Sequence, residues 1–133
     1  MPDTSVVFDH VHLLSKDPQA TADWLVDKLG AEIKRSVTLL GAPQVYLSLG
    51  PALIIVRGLR GDEKPMNKGG TEWGIDHFGV RVQGDFDGFC AGLKKKGVRF
   101  LVEPKDFTAT TRIAFIEAPD NVVIEVLWRK DAV

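Results

Sequence analysis

The chain has 133 residues, 44% hydrophobic and 26% charged, with 17 basic residues against 18 acidic. A single domain of this size buries roughly two-thirds of its unfolded surface, so it builds a core without disulfides or structural metal. A formal charge of -1 and scattered basic residues argue against a nucleic-acid partner. The longest aliphatic run, residues 52–56, falls far short of the roughly 20 residues that cross a bilayer. The N-terminus lacks the basic-then-apolar order of a signal peptide, and the one cysteine, Cys90, has no partner for an internal disulfide. These features together predict a cytoplasmic protein with no membrane association.

In chain order, Phe8-Asp9-His10-Val11-His12-Leu13 opens the sequence as a strand and is echoed by Ile75-Asp76-His77-Phe78-Gly79-Val80. After the first copy, Asp17 is placed to cap a helix and Pro18 suits its first position. Ala22, Leu25, Val26 and Leu29 form one apolar face, and Gly30 is the expected stop. Strands are predicted over Glu32 to Thr38, Gln44 to Leu49 and Ala52 to Arg57, the last two joined at Gly50-Pro51. Gly58 to Gly74 is the only long connection, either a linker or a loop that covers a site.

The second copy repeats this order. Gly84-Asp85 opens a helix bearing Phe86, Phe89, Cys90 and Leu93, which Gly97 ends. Strands follow over Arg99 to Glu103, Arg112 to Glu117 and Val122 to Trp128, the last two joined at Pro119-Asp120-Asn121. The expected architecture is α+β: two βαβββ modules, about 7–57 and 75–129, in one domain spanning 1–133. A lone module leaves one sheet face bare, so the two are expected to form a curved mixed sheet around a concave cleft, within one chain or across two.

Alternation sorts the side chains by face. His10 and His12 fall together on the first strand, His77, Gly79 and Arg81 on the fifth, and Val123, Glu125 and Leu127 on the last. Glu125 is an isolated carboxylate in Val122-Val123-Ile124-Glu125-Val126-Leu127-Trp128. An unpaired buried carboxylate is costly, so it calls for a cation or a guanidinium such as Arg81 or Arg112. Two histidines at repeat-related positions with one carboxylate make a candidate divalent-metal site, His10, His77 and Glu125. A histidine taken alone has the lesser alternative of being a packed core residue; the repeated pair is the stronger signal. His12 is a fourth ligand, a base or a hydrogen-bonded neighbour. Arg57 and Arg81 are candidates for binding an anionic substrate group. Trp73 borders the long connection and is a candidate cleft residue.

The duplicated modules, the Asp-His openings and Ala118-Pro119-Asp120-Asn121-Val122-Val123-Ile124-Glu125 resemble the vicinal oxygen chelate superfamily, which includes glyoxalase I, methylmalonyl-CoA epimerase, fosfomycin and bleomycin resistance proteins and extradiol dioxygenases. The resemblance runs from about Val7 to Trp128. It implies one divalent ion (Fe, Mn, Co, Ni or Zn) on His10, His77 and Glu125. It also implies a small oxygenated substrate whose vicinal oxygens are chelated, and a homodimer. The fourth ligand position of glyoxalase-like members falls here on Ile55, which cannot bind metal. Three activities are consistent with the resemblance. The first is a glyoxalase-like lyase or isomerase that stabilises an enolate or alkoxide, with Glu125 or His12 carrying the proton. The others are an Fe(II) extradiol-type dioxygenase using the same triad, and a non-catalytic ligand-binding protein of the bleomycin-resistance type.

Overall fold

A computed structural model describes residues 8–65, 75 and 77–130. Trp73 and Asp76 lie outside those residues. The chain divides into two compact units, Met1–Pro65 and Met66–Val133.

The first unit runs β1 (His10–Leu14), α1 (Pro18–Leu29), β2 (Glu32–Leu39), β3 (Ala42–Leu49) and β4 (Ala52–Arg57). Its four strands lie in the order β1-β4-β3-β2, with β1 parallel to β4 and the other pairs antiparallel. The start of α1 follows from Asp17, whose carboxylate accepts the Ala20 N–H at 3.1 Å, with Pro18 in the first turn. Its end follows from Gly30, which takes the left-handed φ of 77° that closes a helix and donates its N–H to the Val26 carbonyl at 3.1 Å. Register places Leu47 beside Ile54 and Val45 beside Val56, and all four are at most 2% exposed. They form the core with Ala22 and Leu25 of α1, which are equally buried.

The second unit repeats the plan with β5 (Phe78–Arg81), α2 (Phe86–Lys95), β6 (Phe100–Thr108), β7 (Thr111–Glu117) and β8 (Val123–Arg129), in the sheet order β5-β8-β7-β6. Asp85 caps α2 by accepting the Gly88 N–H at 3.0 Å, and a side chain at position 88 would collide with that carboxylate. Ile124 and Val126 on β8, with Ala114 and Ile116 on β7, are fully buried. Cys90 is buried too, as expected of a packing residue, and burial pushes its thiol pKa up.

Both units thus have the α+β fold class and the repeated βαβββ order expected from the sequence. Two elements differ by more than two residues from expectation. The fifth strand begins at Phe78, not Ile75, so His77 stands just ahead of it. The sixth extends to Thr108, past Pro104, because it is an edge strand where the missing N–H costs no ladder bond. The register indeed skips between Val102 and Lys105. No helix of the described residues is long and apolar enough to cross a membrane.

Candidate functional site

The turn between β7 and β8 decides which way Glu125 points. Asp120 and Asn121 both adopt left-handed backbone, with φ of 60° and 62°, which these two residue types tolerate better than other non-glycine residues. The turn is closed by Ala118 N–H donating to the Val122 carbonyl at 2.8 Å. The resulting register sets Glu125 beside Phe115 and Gly79, opposite in face to buried Ile124 and Val126. A one-residue slip would bury the carboxylate in the core under α2, so turn chemistry and hydrophobic pattern fix the same register.

His77 lies over this face. Its Nε2 stands 3.2 Å from Glu125 Oε1, and its ring meets Phe115 edge-on with centroids 5.0 Å apart. Gly79 contributes by being small: a Cβ there would press on Leu127 at 3.3 Å and approach Glu125 Cβ at 3.8 Å. The two side chains are partly open, at 29% and 22% exposed, so solvent or a ligand reaches them. Arg112, weighed as a partner for Glu125, is on the opposite face. It is held there by Asp106 at 2.6 Å and Asp87 at 2.7 Å, and those carboxylates push its pKa up. The parity of β7, set by the turn, takes Arg112 away from Glu125.

The separation of 3.2 Å suits a shared cation. Donor atoms bound to one ion at about 2.1 Å stand roughly 3.0 Å apart at a right angle and roughly 3.4 Å apart at a tetrahedral one. A charge-assisted hydrogen bond is ordinarily shorter, about 2.7–2.9 Å. In the first unit His10 holds the repeat-equivalent place, in register with Leu53 of β4. Its Nδ1 lies 2.7 Å from Asp9 Oδ2, a carboxylate placed to accept an Nδ1–H, as carboxylates beside metal-binding histidines commonly do. The repeat counterpart of Glu125 is Ile55, beside His12 in register and 6% exposed, so this unit offers no second carboxylate at that place. Among the described residues, no group of three or more His, Cys, Asp or Glu side chains is gathered to hold a metal. His77 and Glu125 in the second unit form one pair of such side chains, and His10 with Asp9 in the first unit forms another.

The superfamily profile for Glyoxalase/Bleomycin resistance protein/Dioxygenase proteins matches residues 7–126. The chain belongs to that superfamily. Among solved structures, a glyoxylase/bleomycin resistance protein/dioxygenase domain from Frankia sp. EAN1pec is similar at 20% identity, over 95% of this chain and 99% of that one, with a TM-score of 0.78. A mutant of the fosfomycin resistance protein FosX from Listeria monocytogenes, complexed with Mn(II) and 1S,2S-dihydroxypropylphosphonic acid, is similar at 17% identity. That match covers 98% of this chain and 96% of that one, with a TM-score of 0.72. TioX from Micromonospora sp. ML1 is similar at 20% identity over 96% of this chain and 99% of that one, with a TM-score of 0.68. At these identities the likeness is one of fold. No curated protein matches the chain by sequence.

Within this vicinal oxygen chelate fold, β1 and β4 of the first unit carry a second group of polar side chains. His12 shares a face with His10, the two rings 5.8 Å apart. Burial holds the His12 pKa below that of free imidazole, and the nearby charges of Arg57, His10 and Arg60 lower it further. His12 therefore protonates in a more acidic range than a free imidazole, although its side chain is partly open to solvent. Because the folded form binds that proton less readily than the unfolded chain, the group costs stability as pH falls below about 6.5.

Arg57 and Arg81 sit at the ends of β4 and β5, on the histidine-bearing faces of their sheets. Arg81 is exposed, whereas Arg57 is already engaged by Glu63 at 2.6 Å. Sequence reasoning missed three residues here: Glu63, Arg60 and Gln44. Gln44 is 4% exposed and uses both ends of its amide, accepting from Arg60 Nη2 at 2.7 Å and donating to the Tyr46 hydroxyl at 2.7 Å. The available signal was a polar residue two positions from Tyr46 on a strand, pointing to the same face as Arg57.

Proposed function

We propose that the chain is a metal-dependent enzyme in which His10, His77 and Glu125 hold one divalent ion, and that it acts as a lyase or isomerase on a small substrate with adjacent oxygens. The observation that carries this reading is the 3.2 Å spacing of His77 Nε2 and Glu125 Oε1 on an open sheet face. When bound, an ion of Fe, Mn, Co, Ni or Zn supplies Lewis acidity toward vicinal oxygens of a hydroxy-ketone, 1,2-dicarbonyl or diol.

The chain's own groups have separable tasks. Glu125 directs Oε1 toward His77, and Oε2 is the atom at which a substrate proton is taken up and returned. His12, whose pKa its surroundings lower, offers a ring nitrogen as an alternative acceptor. Arg57 and Arg81 orient an anionic end of the substrate. Asp9 holds the His10 ring in place. A homodimer is part of this proposal, as is a cytoplasmic setting.

One observation favours a second reading, an Fe(II) dioxygenase. Ile55 leaves the donor set at two histidines and one carboxylate, the combination that suits non-haem iron with positions open for substrate and dioxygen. Elemental analysis of protein purified without chelator, followed by anaerobic Fe(II) reconstitution and an oxygen-uptake screen against small diols and hydroxy-ketones, tests both. The expected result is one ion per chain, with turnover lost on chelation. Oxygen consumption coupled to turnover selects the dioxygenase. Absence of a stoichiometric ion, with ligand binding unchanged in His77→Ala, overturns both and favours a binding protein.

A further inference from the structure

On the same face of the first unit as His10 and His12, the chain seats one of its own carboxylates in a cationic cradle. Glu63 Oε1 accepts from Arg57 Nη1 at 2.6 Å and from the Arg60 backbone N–H at 2.7 Å, while Oε2 accepts from Arg57 Nη2 at 3.2 Å. Arg57 belongs to the sheet, whereas Arg60 and Glu63 both follow β4 in one turn, in which the Glu63 N–H donates to the Arg60 carbonyl at 3.0 Å. The Arg57 side chain is 19% exposed and ends β4, where its register partners are Leu14 and Gln44, and its Nη1 also donates to the Gly58 carbonyl at 3.0 Å. Glu63 comes from the connecting segment after β4 and is 42% exposed.

The second guanidinium is drawn onto the same face. Arg60 Nη2 donates to Gln44 Oε1, the buried Gln44 amide is pinned in turn by Tyr46, and Arg35 lies over the Tyr46 ring at 4.2 Å. Arg60 Nε is buried and has no hydrogen-bond partner among the described residues. A buried guanidinium N–H without an acceptor is unfavourable, so the cradle has more donor capacity than Glu63 uses.

We propose that Arg57 and Arg60 form the subsite for a carboxylate on the substrate, and that Glu63 is an internal stand-in which the substrate displaces. The two parallel N–H groups of Arg57 fit a planar two-oxygen group, which is why the class is a carboxylate. His10 and Arg57 are in register with Leu53 and Leu14, four residues apart along adjoining strands, or about 13 Å between backbone positions. With the reach of both side chains, that separation suits a small acid carrying its reacting oxygens a few bonds from the carboxylate. Calling the ligand a substrate rests on the metal reading of His10; the carboxylate seat itself does not.

The test is titration of the full chain with acetate, and separately with inorganic phosphate, observing the arginine Nε–H signals by NMR in chelator-treated protein. A tethered carboxylate competes at an effective concentration in the millimolar range or above. Glu63→Gln is therefore expected to lower the apparent Kd for acetate at least tenfold, with the Arg57 and Arg60 signals shifting, and Arg57→Gln in the Glu63→Gln background to abolish the effect while the remaining spectrum is retained. No gain in Glu63→Gln, or an equal gain surviving Arg57→Gln, overturns the seat and leaves Glu63 a structural tie. Phosphate gaining as much as acetate overturns the carboxylate assignment. Because the titration is done without metal, failure of the metal reading leaves its outcome unchanged. Repeating it on Mn(II)-loaded protein separates the two.

Discussion

Replacing Glu125 by alanine is expected to weaken divalent-metal binding by more than the roughly 10–100-fold that loss of a supporting hydrogen-bond partner costs a metal site. The substitution removes the one carboxylate of the proposed donor set, and with it the oxygen 3.2 Å from His77 Nε2. The fold is expected to persist. Glu125 is partly exposed, and the residues that bury β8 are Ile124 and Val126 on its other face. Glu125→Gln, which keeps the shape and one neutral oxygen donor, should fall between the alanine variant and the parent. Titration calorimetry with Mn(II) checks this. An affinity unchanged in the alanine variant would mean that the carboxylate serves the sheet, not an ion.

The second large effect concerns stability. Leu47 is completely buried, paired in register with Ile54 and covered by Ala22 and Leu25 of α1. Leu47→Ala removes apolar contacts and leaves a void that the surrounding strands can only partly fill, so a loss of about 2–5 kcal/mol is expected. Against a total stability of about 5–15 kcal/mol, that is a large fraction. Urea unfolding should show a lower midpoint with the slope unchanged, as befits a cavity and not a change in the denatured state. A loss under about 1 kcal/mol would place the core elsewhere.

Much of the fold was legible because each half states its own boundaries. Asp17 with Pro18, Gly30, and Asp85 are local signals, satisfied within a few residues, and the caps they form are the ones expected. The alternation that placed His10 and His12 on one face, and Glu125 on one face of β8 with Val123 and Leu127, is equally local. The face of Arg112 was not legible, because parity on β7 depends on how many residues the Asp120-Asn121 turn consumes. Nor was the Glu63 cradle. It joins a strand end to a connecting segment through side chains, and no periodicity marks such a contact. Gln44 looked like an ordinary strand residue, and only its burial with both amide ends engaged reveals that it positions Arg60.

The metal proposal names two histidines and one carboxylate, so a count of coordinated nitrogens tests it most directly. Electron spin-echo modulation spectroscopy of Mn(II)-loaded protein is expected to detect two bound imidazole nitrogens, falling to one in His10→Ala and to one in His77→Ala. A spectrum without imidazole coupling, or one that neither substitution alters, would contradict the account.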